Sequence, residues 1–148
     1  VLAYIESGTE SGAELLCGGR QVKQDSGGFY IEPTIFDQVP SQSKMAQEEI
    51  FGPVLSVMSF STEEEAIALA NDTCFGLAAY AATENLSRAQ RLGKGLSSGV
   101  VGIVATNTIG TGHIELGAEG HKQSGFGFEG AEAGLQAYCT TTTVNQFI

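Results

Sequence analysis

Between residues 54 and 104 the chain switches repeatedly between two periodicities, and that switching limits its possible folds more than any other feature. Residues 54–60 (VLSVMSF) form a short, nearly continuous apolar run. Ser61-Thr62-Glu63-Glu64-Glu65 then offers overlapping capping boxes, and Ala66, Ile67, Leu69 and Ala70 form an apolar helical face. Residues 77–82 (LAAYAA) are again strand-like. Leu86, Ala89, Leu92 and Leu96 recur at helical spacing behind Asn85, Gly99 closes that helix, and residues 100–104 (VVGIV) return to a strand pattern. The order is β-α-β-α-β. Continuous apolar strands separated by capped amphipathic helices predict an α/β fold with a mainly parallel sheet and helices on both faces.

The flanks are less regular. Residues 14–17 and the stretch 30–39 around Pro33 read as strands joined by a turn at Gly27-Gly28. Residues 107–130 read as a long Gly-rich loop, and such a loop in a compact domain is usually either functional or a wrong assignment of elements. A short helix over 131–138 and a β-branched run, TTTTV at 140–144, follow. Residues 1–5 (VLAYI) are apolar, start with Val rather than Met, and have no capping residue ahead of them. They predict that the chain begins inside an element, as a piece of a longer protein.

Composition excludes several classes of partner. Seventeen acidic residues against seven Lys and Arg give a formal charge of -10, so no basic footprint for a phosphate backbone or an anionic lipid surface is expected. Nor does any apolar run approach the ~18–20 residues of a membrane-spanning helix, and the start lacks the basic region of a signal peptide. Cys17, Cys74 and Cys139 are odd in number and far apart, which argues against a disulfide framework and a zinc site. A soluble chain in a reducing cytoplasm, with no metal, fits these features.

Four constellations could carry chemistry. Gly125-Phe126-Gly127-Phe128-Glu129-Gly130 has the form G-x-G-x-x-G, but His121-Lys122-Gln123-Ser124 before it is no strand, and no acidic residue follows at the required distance. It reads as a turn. Cys74 or Cys17 with His113 or His121 could pair for nucleophilic catalysis, yet small Cys residues beside apolar neighbours are mostly core. Lys122-Gln123-Ser124-Gly125 alone is a turn with a solvated Lys. Gln47-Glu48-Glu49-Ile50-Phe51-Gly52-Pro53-Val54 sets two carboxylates at the mouth of a strand, either as solvated punctuation or as a carboxylate held toward something polar.

The order of several motifs is more informative than any one of them. Leu16-Cys17-Gly18-Gly19, Gly28-Phe29-Tyr30-Ile31-Glu32-Pro33-Thr34-Ile35-Phe36, the QEEIFGPV octapeptide, Glu65-Ala66-Ile67-Ala68-Leu69-Ala70-Asn71-Asp72-Thr73, Gly76-Leu77-Ala78-Ala79 and Lys122-Gln123-Ser124-Gly125 follow one another as in the aldehyde dehydrogenase superfamily. The chain resembles that family from residue 1 to about residue 82, more weakly through 86–96, and again at Lys122. EEIFGPV is the most diagnostic part.

The resemblance implies residues 1–139 as the C-terminal part of the catalytic domain and 140–148 as the strand used for subunit association, hence a homo-oligomer. It implies NAD or NADP as cofactor and a small-molecule aldehyde as substrate, oxidised to a carboxylic acid through a Cys thioester. The nucleophilic Cys, the base Glu and the Rossmann-type domain would precede Val1. No catalytic residue is therefore expected in this chain, and none of its three cysteines aligns with the nucleophile. Glu49 is implied to accept hydrogen bonds from the nicotinamide ribose hydroxyls, and Phe51 to pack beside the nicotinamide. Glu48 is implied to be structural.

The sequence departs from the family where P-F-G-G usually precedes the Lys, since here Leu116-Gly117-Ala118-Glu119-Gly120-His121 has no Phe. Val104 also stands where relatives often carry Asn. Both places lie near the substrate channel in the family, so a divergent or inactive enzyme, and a non-catalytic α/β association module, stay open. So does an unrelated cysteine hydrolase using Cys74.

Overall fold

The computed structural model describes residues 1–104 and 117–146. The described chain is α/β and divides into two compact units, Val1–Thr73 and Cys74–Ile148.

The first unit is organised by a three-stranded sheet. Strand β1 (Glu14–Cys17) follows helix α1 (Leu2–Glu10), and a short hairpin of β2 (Gln21–Val22) and β3 (Tyr30–Ile31) leads to β4 (Thr34–Asp37). Helix α2 (Lys44–Gln47), strand β5 (Val54–Ser56) and helix α3 (Glu63–Asn71) complete the unit. The sheet order is β1-β4-β5, with β1 antiparallel and β5 parallel to β4. Phe36, on the central strand, is fully buried among Ile5, Ala13, Val39 and Met45. Gly8 allows α1 to approach this cluster, because a Cβ there would collide with Met45 Sδ.

The strand expected over 30–39 is split in two at Pro33. Proline has no N–H to give to a ladder, and the chain changes sheets there, from the β2–β3 hairpin to the β1-β4-β5 sheet. Thr34 secures the crossing. Its buried hydroxyl accepts from the Gly19 N–H at 2.8 Å and donates to the Glu32 carbonyl at 2.8 Å. Gly18, beside it, has a φ of +76°, and a Cβ there would strike the Pro33 carbonyl, so the Gly-Gly pair is a steric requirement.

Helix α3 begins as its capping pattern predicts. Thr62 Oγ1 accepts from the Glu65 N–H at 3.1 Å, while the Glu65 carboxylate accepts from the Ser61 N–H at 2.7 Å, one residue outside the usual box. Strand β5 is shorter than expected. Its ladder continues only as far as Val57, whose N–H donates to the Phe36 carbonyl at 2.9 Å, and Leu55 and Phe60 are exposed.

In the second unit a short strand β6 (Phe75–Gly76) leads into β7 (Ala78–Ala82), helix α4 (Leu86–Gly95) and β8 (Val100–Val104). β7 and β8 are parallel, paired from Ala78 with Val100 to Ala82 with Val104, so the β-α-β reading holds here. Asn85 caps α4 by accepting from the Arg88 N–H at 2.9 Å. The helix stops at Gly95, with Leu96 already extended, and not at Gly99. Gly99 instead donates to the Gly76 carbonyl at 2.9 Å, tying the start of β8 to β6.

Beyond the undescribed stretch come β9 (Ala118–Glu119), β10 (His121–Lys122), β11 (Phe128–Glu129) and helix α5 (Ala131–Gln136). β10 is antiparallel to β6 and β11 to β9. Residues 140–144 carry no assigned element and are exposed. The sheets of both units are thus small and mixed in direction.

Because Phe36 is fully buried at the centre of its cluster, Phe36→Ala should cost about 3–5 kcal/mol of stability. Urea unfolding of the two proteins measures the difference, and a loss below about 1 kcal/mol would show that the cluster is not the core.

Candidate functional site

The QEEIFGPV octapeptide is a turn fastened at both ends and exposed in between. At its start Gln47 closes α2, and its side-chain amide donates to the Ser41 and Asp72 carbonyls, each at 2.7 Å. At its end the Pro53 carbonyl accepts from the Thr34 N–H at 2.8 Å, which joins the turn to the central strand β4. Gly52 lies against Val1, where a Cβ would come within 2.6 Å of the Val1 side chain.

The two glutamates have different surroundings. Glu48 accepts from the Tyr4 hydroxyl at 2.7 Å, and Lys44 Nζ lies 4.0 Å from the same carboxylate and 4.9 Å from the centre of the Tyr4 ring. This carboxylate is occupied in joining α1 to α2, as its structural reading implies. Glu49 is exposed, and among the described residues no hydrogen bond or ion pair takes its carboxylate. An unpartnered carboxylate has two oxygens able to accept from adjacent hydroxyls.

Phe51 is 83 % exposed and has a φ of 51°. A bulky residue in the left-handed region is costly, by about 1–3 kcal/mol, and such strain collects at functional sites. Two positions apart on one turn, an exposed ring on strained backbone and an unpartnered carboxylate offer one flat apolar face and one acceptor. That pair suits a ligand with a planar ring and neighbouring hydroxyls.

The other constellations do not assemble. Gly125, Gly127 and Gly130 all have positive φ, of 126°, 89° and 83°; the first two precede β11, and Gly130 is the N-cap of the six-residue α5. His121-Lys122, expected outside any strand, forms the two-residue β10. The Lys-Gln-Ser-Gly turn is bound to β6 through the Ser124 hydroxyl, which accepts from the Gly76 N–H at 2.9 Å, and through the Gln123 N–H, which donates to the Cys74 carbonyl at 2.9 Å.

The cysteines correct an expectation. Cys17 and Cys74 are exposed and free rather than core, and Cys139 is exposed and free as well. Among the described residues no hydrogen bond joins His121 to a thiol, and no group of three or more His, Cys, Asp or Glu is placed to hold a metal. His113 and Leu116 lie outside the described residues. No described helix is long and apolar enough to cross a membrane.

Two residues that matter to this turn were not identified from the sequence. Tyr4 lies 44 positions from its partner Glu48, and Gln47 lies 25 from Asp72. Neither pairing leaves a periodic signal, although Gln47 immediately precedes the most diagnostic motif.

The sequence model of the aldehyde dehydrogenase family matches residues 1–144. Among solved structures, the chain is similar to the aldehyde dehydrogenase KauB from Pseudomonas aeruginosa, with 45% identity over 93% of this chain and 27% of that one, at a TM-score of 0.86. An NAD-dependent aldehyde dehydrogenase from Sinorhizobium meliloti matches at 41% identity, over 93% of this chain and 26% of that one, with a TM-score of 0.85. An aldehyde dehydrogenase from Mycobacterium tuberculosis, complexed with NAD+, matches at 36% identity over 93% and 28%, with a TM-score of 0.84. The chain thus spans little more than a quarter of the length of these structures.

The Tyr4–Glu48 contact has a pH signature. Chiefly through its hydrogen bond to Glu48, then through desolvation and the charge of that carboxylate, the Tyr4 phenol is held above its ordinary value. A raised value means that the contact stabilises the fold fully below the unfolded phenol's value, about pH 10, and is lost as pH rises through the folded one. Tyr4→Phe should therefore be less stable than the parent at neutral pH, with the gap closing in strong alkali. Urea midpoints across that range measure it, and a gap that does not change with pH would exclude the bond as its source.

Proposed function

The chain belongs to the aldehyde dehydrogenase family, and from that premise we propose that it is part of an NAD(P)-dependent enzyme oxidising an aldehyde to a carboxylic acid through a Cys thioester. The nucleophilic Cys, the base Glu and the Rossmann-type domain lie outside this chain. Residues 1–139 are the C-terminal part of the catalytic domain, whose complete sheet is mainly parallel with helices on both faces, and 140–148 are the association strand. The complete subunit is a cytoplasmic homo-oligomer acting on a small-molecule aldehyde, with no nucleic acid or membrane partner. Similarity to NAD-dependent relatives and to one complexed with NAD+ supports this reading.

The observation that carries it is the contrast within Glu48-Glu49. One carboxylate is held by Tyr4 and Lys44, and its neighbour is left exposed two residues before a strained, exposed ring. Those two groups fit the nicotinamide end of the cofactor, with Glu49 accepting from the ribose hydroxyls and Phe51 packing beside the nicotinamide. Bound NAD or NADP supplies the hydride acceptor. Glu49 and Phe51 restrict its pose, which matters because transfer needs the reacting atoms near contact distance and aligned. Neither residue exchanges a proton with substrate, so both position rather than catalyse.

A second reading has its own support. Residues 140–144 are β-branched, exposed and without an assigned element, and a run of this composition can pair as a strand with another chain. A module that retains association without chemistry would keep this segment.

In the complete subunit, Glu49→Gln keeps the shape and removes the charge. A hydrogen bond to a charged group is worth about 1.5–3 kcal/mol, so turnover should fall about tenfold or more, with a smaller loss of cofactor affinity. Steady-state kinetics separates the two effects, and unchanged turnover would remove Glu49 from the site. The 148-residue chain alone, given NAD or NADP and a panel of aldehydes, serves as the blank and should reduce no nicotinamide.

Association is tested by deleting the residues after Cys139. Sedimentation should shift toward monomer, and an unaltered profile would show that this segment does not join subunits.

A further inference from the structure

We infer that Gln47 is a positioning residue for Glu49, an inference that rests on assigning Glu49 to the nicotinamide ribose. A primary amide carries two N–H donors, and Gln47 Nε2 lies 2.7 Å from the Ser41 carbonyl and 2.7 Å from the Asp72 carbonyl. Both donors are spent on backbone, from two different segments. Ser41 belongs to the loop before α2, and Asp72 is the C-cap of α3. A helix leaves its last carbonyls without intrahelical partners, and the Gln47 amide supplies a donor at that end.

The neighbouring bonds reinforce the link. Gln42 Nε2 donates to the Asp72 carboxylate at 2.6 Å, so Asp72 is held through both its side chain and its backbone. The N–H groups of Gln47 and Glu48 donate to the Ser43 and Lys44 carbonyls at 3.1 and 3.0 Å, which makes them the last anchored amides before the exposed turn. Glu49 is the next residue. The direction in which the chain leaves α2, and with it the place of the Glu49 carboxylate, is set where Gln47 fastens the backbone to α3.

Donor count explains the residue type. Glu in this place would aim a carboxylate at two carbonyl oxygens, and Met would fill the same volume with no donor. The bond also gives a physical reason for the octapeptide and the EAIALANDT stretch to occur together, since the first residue of one holds the penultimate Asp of the other.

Two measurements test the role. In the 148-residue chain, Gln47→Met should speed amide hydrogen exchange at Gln47, Glu48 and Asp72 by about tenfold, while amides of β7 and β8 keep their rates. In the complete subunit the same substitution should lower turnover on its own and add nothing once Glu49→Gln is present, because a residue acting through Glu49 has no effect when that carboxylate is gone. Unaltered exchange at Glu48, or effects of the two substitutions that simply add, overturns the positioning role and leaves Glu49 assigned. A Glu49→Gln enzyme with full turnover overturns the assignment of Glu49 and the positioning role with it. If Gln47→Met does not fold, Gln47→Asn, which keeps both donors one methylene short, is read in the same two measurements with the same outcomes.

Discussion

Strand β4 is the element on which the first unit depends. It is bonded on both edges, antiparallel to β1 and parallel to β5, and it carries Phe36 at the centre of the core. Its first residue, Thr34, performs three tasks. The hydroxyl fixes the Gly18-Gly19 turn and the Glu32 carbonyl, and the backbone N–H holds Pro53. A buried hydroxyl with both roles satisfied costs little, whereas one left unmade costs about 1–3 kcal/mol. The exposed turn at Glu49 and Phe51 therefore inherits its downstream anchor from the most buried strand of the unit.

That arrangement separates rigidity from accessibility. Both ends of the octapeptide are tied to packed elements, through Gln47 to the end of α3 and through Pro53 to β4. The residues between are left exposed, and one of them adopts a conformation that L side chains avoid. Strain of about 1–3 kcal/mol persists only where the surroundings over-determine the backbone. Anchors on both sides of Phe51 meet that condition. The adjacent glutamates follow the same division, since Glu48 belongs to the anchored side with Tyr4 and Lys44, and Glu49 to the presented side.

Local chemistry was legible in the sequence, and long-range pairing was not. Thr62 and Asn85 cap their helices where the capping patterns place them, because a cap needs only a few neighbouring residues. The parallel pairing of 78–82 with 100–104 followed from two apolar runs around one amphipathic helix. The stretch around Pro33 reads as continuous because apolar character survives across a residue that cannot join the ladder. Cys17 and Cys74 read as core and are exposed, because composition reports what a residue prefers, not what covers it. The Gln47–Asp72 and Tyr4–Glu48 bonds join residues 25 and 44 positions apart, and no spacing rule reaches that far. The family resemblance placed Glu49 and Phe51 on the same turn without indicating what holds that turn.

Charge gives the proposed cofactor contact its orientation. The chain carries a formal charge of -10, and the basic side chains of the first unit are already directed elsewhere. Arg20 lies 3.6 Å from the Glu32 carboxylate, Lys23 sits 5.4 Å from the Tyr30 ring centre, and Lys44 faces Glu48 and Tyr4. None of these contacts neutralises Glu49. A carboxylate in that setting repels a pyrophosphate and accepts from neutral hydroxyls. In the proposed contact the turn meets the ribose hydroxyls and the nicotinamide ring, and the phosphates are held by groups elsewhere.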